Sequence, residues 1–231
     1  EKLHGPNDIS VYNTLSKLGD LYESSDEEKT GEDYLRRALS IAEKRHVSED
    51  GLLTSALNAL CENLDRQEKY SESEALYQRV VKINERELGA SNAGVADALV
   101  LLGNNFTQQE KFVDAEAQYQ RALKIAASTM KIEASTLQSI ASGQINMLQK
   151  LKRNDEVPDL VDRTLKIAKE KFGKDDDEYL NLLNSLAATL RSERYYKAAA
   201  NLYSKSVEIN EKKHSVHSEE DINALVELGD S

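Results

Sequence analysis

Proline is nearly missing from this chain, with two in 231 residues, beside ten glycines and one cysteine. So few breakers leave little room for linkers or low-complexity tracts. A single cysteine cannot close an internal disulfide, which is compatible with a reducing compartment, and the chain is expected to be cytoplasmic. No apolar run approaches the roughly 18 residues that span a bilayer, so no membrane insertion is expected. Basic residues are also short, 30 Lys and Arg against 41 Asp and Glu, for a net charge of −11. Phosphate binding needs a basic surface, so a nucleic-acid role is excluded. The charge keeps the chain soluble and favours neutral or basic partners. Phosphate loops, Gly-rich dinucleotide fingerprints, nucleophile elbows and zinc-ligand spacings are all lacking. The expectation is therefore no enzyme, no catalytic residue, no cofactor and no metal.

What the chain does have is a period. Leu18-Gly19, Leu60-Cys61, Leu102-Gly103, Leu186-Ala187 and Leu228-Gly229 fall on one 42-residue grid, with Gln144-Ile145 on the same grid but off the pattern. Leu35, Tyr77, Tyr119, Val161 and Tyr203 follow in each copy, then Ala38, Val80, Ala122, Thr164 and Ser206. A fixed period in this range is the signature of a stacked-repeat solenoid. Each copy reads as two helices. Val95, Leu99, Leu102 and Phe106 give one apolar face; Ala115, Tyr119, Ala122 and Ile125 give another on a helix running from about Phe112 to Met130. The links 65–69 and 108–111 are short and polar, without glycine or proline. Small residues at Gly19, Cys61, Gly103, Ala187 and Gly229 let the paired helices approach closely. Gly5, Gly89 and Gly173 stand where a left-handed residue ends the second helix; Val47, Lys131 and Ser215 take that place in the other copies.

The predicted architecture is one all-α array over 1–231, with copies starting near residues 12, 54, 96, 138 and 180 and a partial copy from 222. The final helix, with Ile222, Leu225 and Leu228 on its inner face, should cover the fifth unit, and an exposed terminal edge would drive weak self-association. Because the sequence begins at Glu1 and stops at Ser231 inside a sixth copy, a fragment of a longer protein is expected. In copy four, Gln144 replaces the core leucine and Ile145 the small residue, which predicts an altered angle or hinge between copies three and five. Pro158 falls in the first turn of a second helix, where its missing amide costs nothing.

The pattern resembles the tetratricopeptide repeat (TPR). The residues that carry the likeness are Leu15, Leu18, Gly19 and Tyr22, and again Leu99, Leu102, Gly103, Phe106, Ala115, Tyr119 and Ala122. Copies of 42 residues, with loops such as 88–96 (Leu-Gly-Ala-Ser-Asn-Ala-Gly-Val-Ala), are similar to the kinesin light chain group of these repeats. The resemblance implies a right-handed α-solenoid superhelix of antiparallel helix pairs. It also implies a non-catalytic scaffold that binds a peptide or protein segment in a concave groove lined by first helices. A regulatory or sensor module of a larger protein, or a homo-oligomerising scaffold, is the alternative.

First-helix positions off the core stripe give the candidate groove: Asn13, Asn58, Asn104, Asn146, Asn181, Asn184 and Asn223, with Arg66 and Arg191. Asparagine both donates and accepts, so a ladder of them can pair with an extended backbone. Acids at Asp20, Glu23, Glu62, Asp65, Asp97, Glu227 and Asp230 outnumber Lys17, Arg66, Lys150 and Arg191, so the groove should prefer neutral or basic peptides. The remaining candidates read as structure. His214-x-x-His217 lacks further ligands, and the slot of His4, His46 and His214 holds Leu88, Met130 and Phe172 in other copies, which predicts a packing contact. Cys61 fills a small core slot, and Tyr22, Tyr70, Tyr77, Tyr119, Tyr196 and Tyr203 fill repeat slots in the core.

Overall fold

Every regular element in the described residues is helical, as the 42-residue grid requires. A computed structural model describes residues 8–23, 27–45 and 51–229, with only the helical backbone described for 23, 45 and 214–229. The expectations placed on His4, Gly5, His46 and Val47, and on the side chains of His214, Ser215, His217 and Asn223, lie outside the described residues, as do those on Ile222, Leu225 and Leu228. The helices are α1 (Ile9–Glu23), α2 (Glu28–Arg45), α3 (Leu52–Arg66), α4 (Tyr70–Leu88), α5 (Ala93–Gln108), α6 (Phe112–Ser128), α7 (Ala134–Lys150), α8 (Val157–Phe172), α9 (Asp177–Ser192) and α10 (Tyr196–Gly229). A 3₁₀ turn at Asn154–Glu156 precedes α8, and Pro158 sits in that helix's first turn. The chain divides into two compact units, Glu1–Ile125 and Ala126–Ser231, with the boundary in the last turn of α6. Within each unit a first helix packs on the preceding second helix: α3 on α2, α5 on α4, α9 on α8.

Each pair closes through one device. Glu68, Glu110, Lys152 and Arg194 all adopt left-handed φ, between 58° and 67°, at 42-residue intervals. The following amide then reaches back to the carbonyl five residues earlier: Lys69 N to Leu64 O and Lys111 N to Phe106 O at 2.9 Å, Arg153 N to Leu148 O at 2.9 Å, and Tyr195 N to Leu190 O at 2.7 Å. This is the Schellman closure that usually takes glycine. At the other edge, Gly89 and Gly173 have φ of 89° and 92° and end α4 and α8. Asp8, Asn92 and Asp176 then cap the next first helix, accepting from the amides two residues on at 2.8–2.9 Å.

The core follows the grid. Leu15, Leu57, Leu99 and Leu183 are buried, as are Leu60, Leu102, Leu186, Leu35, Tyr77, Tyr119 and Val161. Cys61 is fully buried, and burial pushes its thiol up, well out of the range of a reactive thiolate. The small slots are tight: a Cβ on Gly19 would stand 2.5 Å from Leu35 Cδ2. Two expectations need correction. The slot shared by Leu88 and Met130 is not a packing contact, since Leu88 is half exposed and Met130, in the loop after α6, is 98% exposed. Tyr196 is not core but 62% exposed at the start of α10. The backbone also runs on through Ser215, where the grid places a turn, so that α10 is one helix of 34 residues.

Candidate functional site

First helices expose one stripe at helical spacing. On α5 it is Asp97, Leu101, Asn104 and Gln108, with Asp97, Asn104 and Gln108 exposed. Asn13 and Asp20 hold matching places on α1, and Glu62 on α3; Asn58 stands beside the stripe, at the place of the buried Val100. Asn146 lies on this stripe in α7 and Asn181 in α9, with Asn184 beside it at the place of Asn58. Of the candidate asparagines, Asn13, Asn104, Asn146, Asn181 and Asn184 are exposed and Asn58 is half-buried. Arg66 and Arg191 are exposed at the C-terminal ends of α3 and α9. Asn223 lies within α10. The stripe therefore falls into two sets, α1, α3 and α5 in the first unit and α7 and α9 in the second.

Two of these amides are held in defined states. Tyr119 OH donates to Asn104 Oδ1 at 2.7 Å, and Thr107 Oγ1 lies 3.2 Å from the same hydroxyl while donating to Gly103 O at 2.8 Å. The carbonyl side of Asn104 is thus taken, which leaves its Nδ2 as the donor that side chain can offer a ligand. Burial pushes Tyr119 up to about 12, so the hydroxyl stays protonated and keeps donating. Asn58 is the complement: its Oδ1 is buried and has no hydrogen-bond partner.

A second constellation sits between copies and was not foreseen as a site. Asn63, fully buried on α3, donates from Nδ2 to Glu28 O at 3.1 Å. Gln67 Nε2 donates to Asn63 Oδ1 at 2.8 Å and to Glu32 Oε2 at 2.9 Å, and Lys69 Nζ lies 2.6 Å from the same carboxylate. One copy later the arrangement recurs. Asn105 Nδ2 donates to Tyr70 O at 3.1 Å, Gln109 Nε2 to Asn105 Oδ1 at 2.7 Å and Glu74 Oε2 at 2.8 Å, with Lys111 Nζ 2.7 Å from Glu74. Asn105 also donates to Ser73 Oγ at 2.7 Å and to Asp65 Oδ1 at 2.9 Å, and Asp65 further accepts from Tyr77 OH and Ser73. Burial would raise the Glu32 carboxyl, but Lys69, Gln67 and Arg36 more than offset it, and it falls from 4.5 to about 2. Glu74 is lowered in the same way by Lys111 and Gln109. These clasps are joints of the scaffold, and the signal for them was present: Glu32/Glu74, Asn63/Asn105, Gln67/Gln109 and Lys69/Lys111 each repeat at 42. In copy four the donor places hold Met147 and Leu151, and Arg153 pairs with Glu156 at 2.5 Å.

Among the described residues no group of three or more His, Cys, Asp or Glu could hold a metal, and no helix is long and apolar enough to cross a membrane. Residues 52–128 match the tetratricopeptide repeat family model. No curated protein matches the chain. Among solved structures, the nearly identical TPR-like repeats of a kinesin light chain candidate from Podosopora anserina are 15% identical, with a TM-score of 0.60 over 91% of this chain and 99% of that one. BtubC (BKLC) from P. vanneervenii is 19% identical, with a TM-score of 0.60 over 89% of this chain and 83% of that one. A Rap protein complexed with competence and sporulation factor is 15% identical, with a TM-score of 0.53 over 88% of this chain and 65% of that one.

Proposed function

We propose that this chain, tetratricopeptide repeat sequence over residues 52–128 and of that fold beyond them, is a non-catalytic scaffold that holds a peptide or protein segment on its first helices. The observation that carries the reading is the orphan acceptor of Asn58, beside a stripe of exposed amides. A buried carbonyl without a partner costs on the order of 1–3 kcal/mol; the half-buried Asn58 side chain relieves that cost by turning its amide outward to accept from a ligand N–H. Asn58 Oδ1 as acceptor and Asn104 Nδ2 as donor together suit a backbone amide, which offers one of each. In the first unit Asp20, Glu62 and Asp97 stand on the same stripe and favour a neutral or basic segment. Asn184, the grid equivalent of Asn58, plays the corresponding part in the second unit with Asn181 and Arg191.

A peptide display screen on residues 1–231, with the best hits remeasured by fluorescence anisotropy, tests this. Asn58→Ala and Asn184→Ala should each weaken binding roughly tenfold, the size of one lost hydrogen bond in a dry site. Basic hits should weaken further as salt rises. Hits whose affinity ignores both substitutions would place the binding elsewhere on the chain.

A further inference from the structure

The outer face of α10 is open where those of α2, α4 and α8 are each closed by the following first helix. Its stripe is Tyr196, Ala200, Tyr203 and Val207, spaced i, i+4, i+7 and i+11. Tyr196 is 62% exposed and Val207 54%. The grid equivalents of Val207 in α2, α4 and α8 are Leu39, Val81 and Leu165, and all three are buried. Those of Tyr203 are Leu35, Tyr77 and Val161, also buried, whereas Tyr203 is only half so. In each earlier case the helix packed there is the next first helix: α3 on α2, α5 on α4, α9 on α8.

The chain encodes such a helix. Ile222, Leu225 and Leu228-Gly229 stand one period after Leu180, Leu183 and Leu186-Ala187, all of them buried on α9. The segment cannot reach the open face of its own molecule in this conformation. α10 lies antiparallel to α9 as far as Lys213, whose Nζ meets Asp177 at 2.6 Å in the first turn of α9. From residue 214 the backbone continues straight to Gly229, about 24 Å of helix at 1.5 Å per residue, past the end of α9. Nothing at Ser215 breaks it, in contrast to Gly89 and Gly173 three and one copies earlier.

We infer that residues 216–229 serve as the sixth-copy first helix of a second copy of this chain, docking on its α10 face, while that copy's segment docks here in return. Reciprocal exchange covers both open faces with one two-fold interface and needs no new surface. The occupant is chosen by sequence, because the segment repeats the pattern that fills the same place inside the array.

Light scattering on the intact 231-residue chain across a wide concentration range tests it. The expected mass is twice the 25.8 kDa of one chain. Val207→Glu and Leu225→Glu, on the two sides of the interface, should each return it to the single-chain mass with helicity retained by circular dichroism. Inserting Gly-Ala-Ser-Asn after Ser215, the turn used at 89–92, should also give the single-chain mass by letting the segment fold back. A single-chain mass for the unaltered protein at every concentration overturns the inference. So does a dimer that survives Val207→Glu, or one that the inserted turn leaves intact.

Discussion

A methyl group at position 103 would stand 2.8 Å from Tyr119 Cε1 and 3.0 Å from Cζ, closer than real Cβ contacts come. The ring cannot simply swing away, because its hydroxyl is held by Asn104 and Thr107. Gly103→Ala should therefore destabilise by about 1–3 kcal/mol through overpacking, despite the better helix propensity of alanine. An unchanged urea midpoint would mean that Tyr119 has room the distances deny. Gln144 presents the opposite case. It fills the slot that is leucine at positions 60, 102 and 186, it is only 8% exposed, and its Oε1 has no partner. Gln144→Leu restores the apolar contact and removes an orphan acceptor, so it should stabilise by about 1–2 kcal/mol in the same titration. A loss of stability would show that the amide is satisfied, as by a buried water, and belongs where it is.

At the scale of helices and turns, legibility depended on how many neighbours a position has. Slots packed from both sides, such as Leu99, Tyr119 and Leu186, carry the period in the sequence itself and were readable as core. So were the ends at Gly89 and Gly173, because only glycine takes a φ near 90° without strain. The first-to-second helix turns were readable as short and polar but not as left-handed, since Glu68, Glu110, Lys152 and Arg194 announce nothing about φ. The six-residue closures hold them there whatever the side chain. Met130 and Tyr196 were misjudged because a slot at an element's end is buried only if a neighbour reaches it, and periodicity is silent about reach. The exposed asparagine stripe followed from spacing alone. The distinction between Asn104, oriented by a tyrosine, and Asn58, left as an orphan, needed side-chain geometry that no spacing supplies.

Acid should act unequally on the two units of the molecule. Glu32 and Glu74 anchor the two clasps of the first unit, and both titrate below their unfolded value, Glu32 near 2 against 4.5. A carboxylate with a depressed folded pKa contributes stability that is fully present above about pH 4.5 and is lost as pH falls towards 2. For Glu32 this amounts to as much as about 3 kcal/mol at the conversion of 1.36 kcal/mol per pKa unit. Among the described residues of the second unit the lowered carboxyls are Glu156, bonded to Arg153, and Asp177, bonded to Lys213, both at the surface, where such pairs contribute little. In a solenoid, stability is close to a sum of local terms, so a joint weakened in one place should open there first. Hydrogen exchange at pH 5 and pH 3, corrected for intrinsic rates, should show α3 and α5 losing protection well before α7 and α9. Glu32→Gln should lower protection in α3 at pH 5 and flatten its dependence on pH. Equal loss in both units would mean that the clasps do not hold the copies together, and that burial of Leu35, Leu57 and Leu99 alone does.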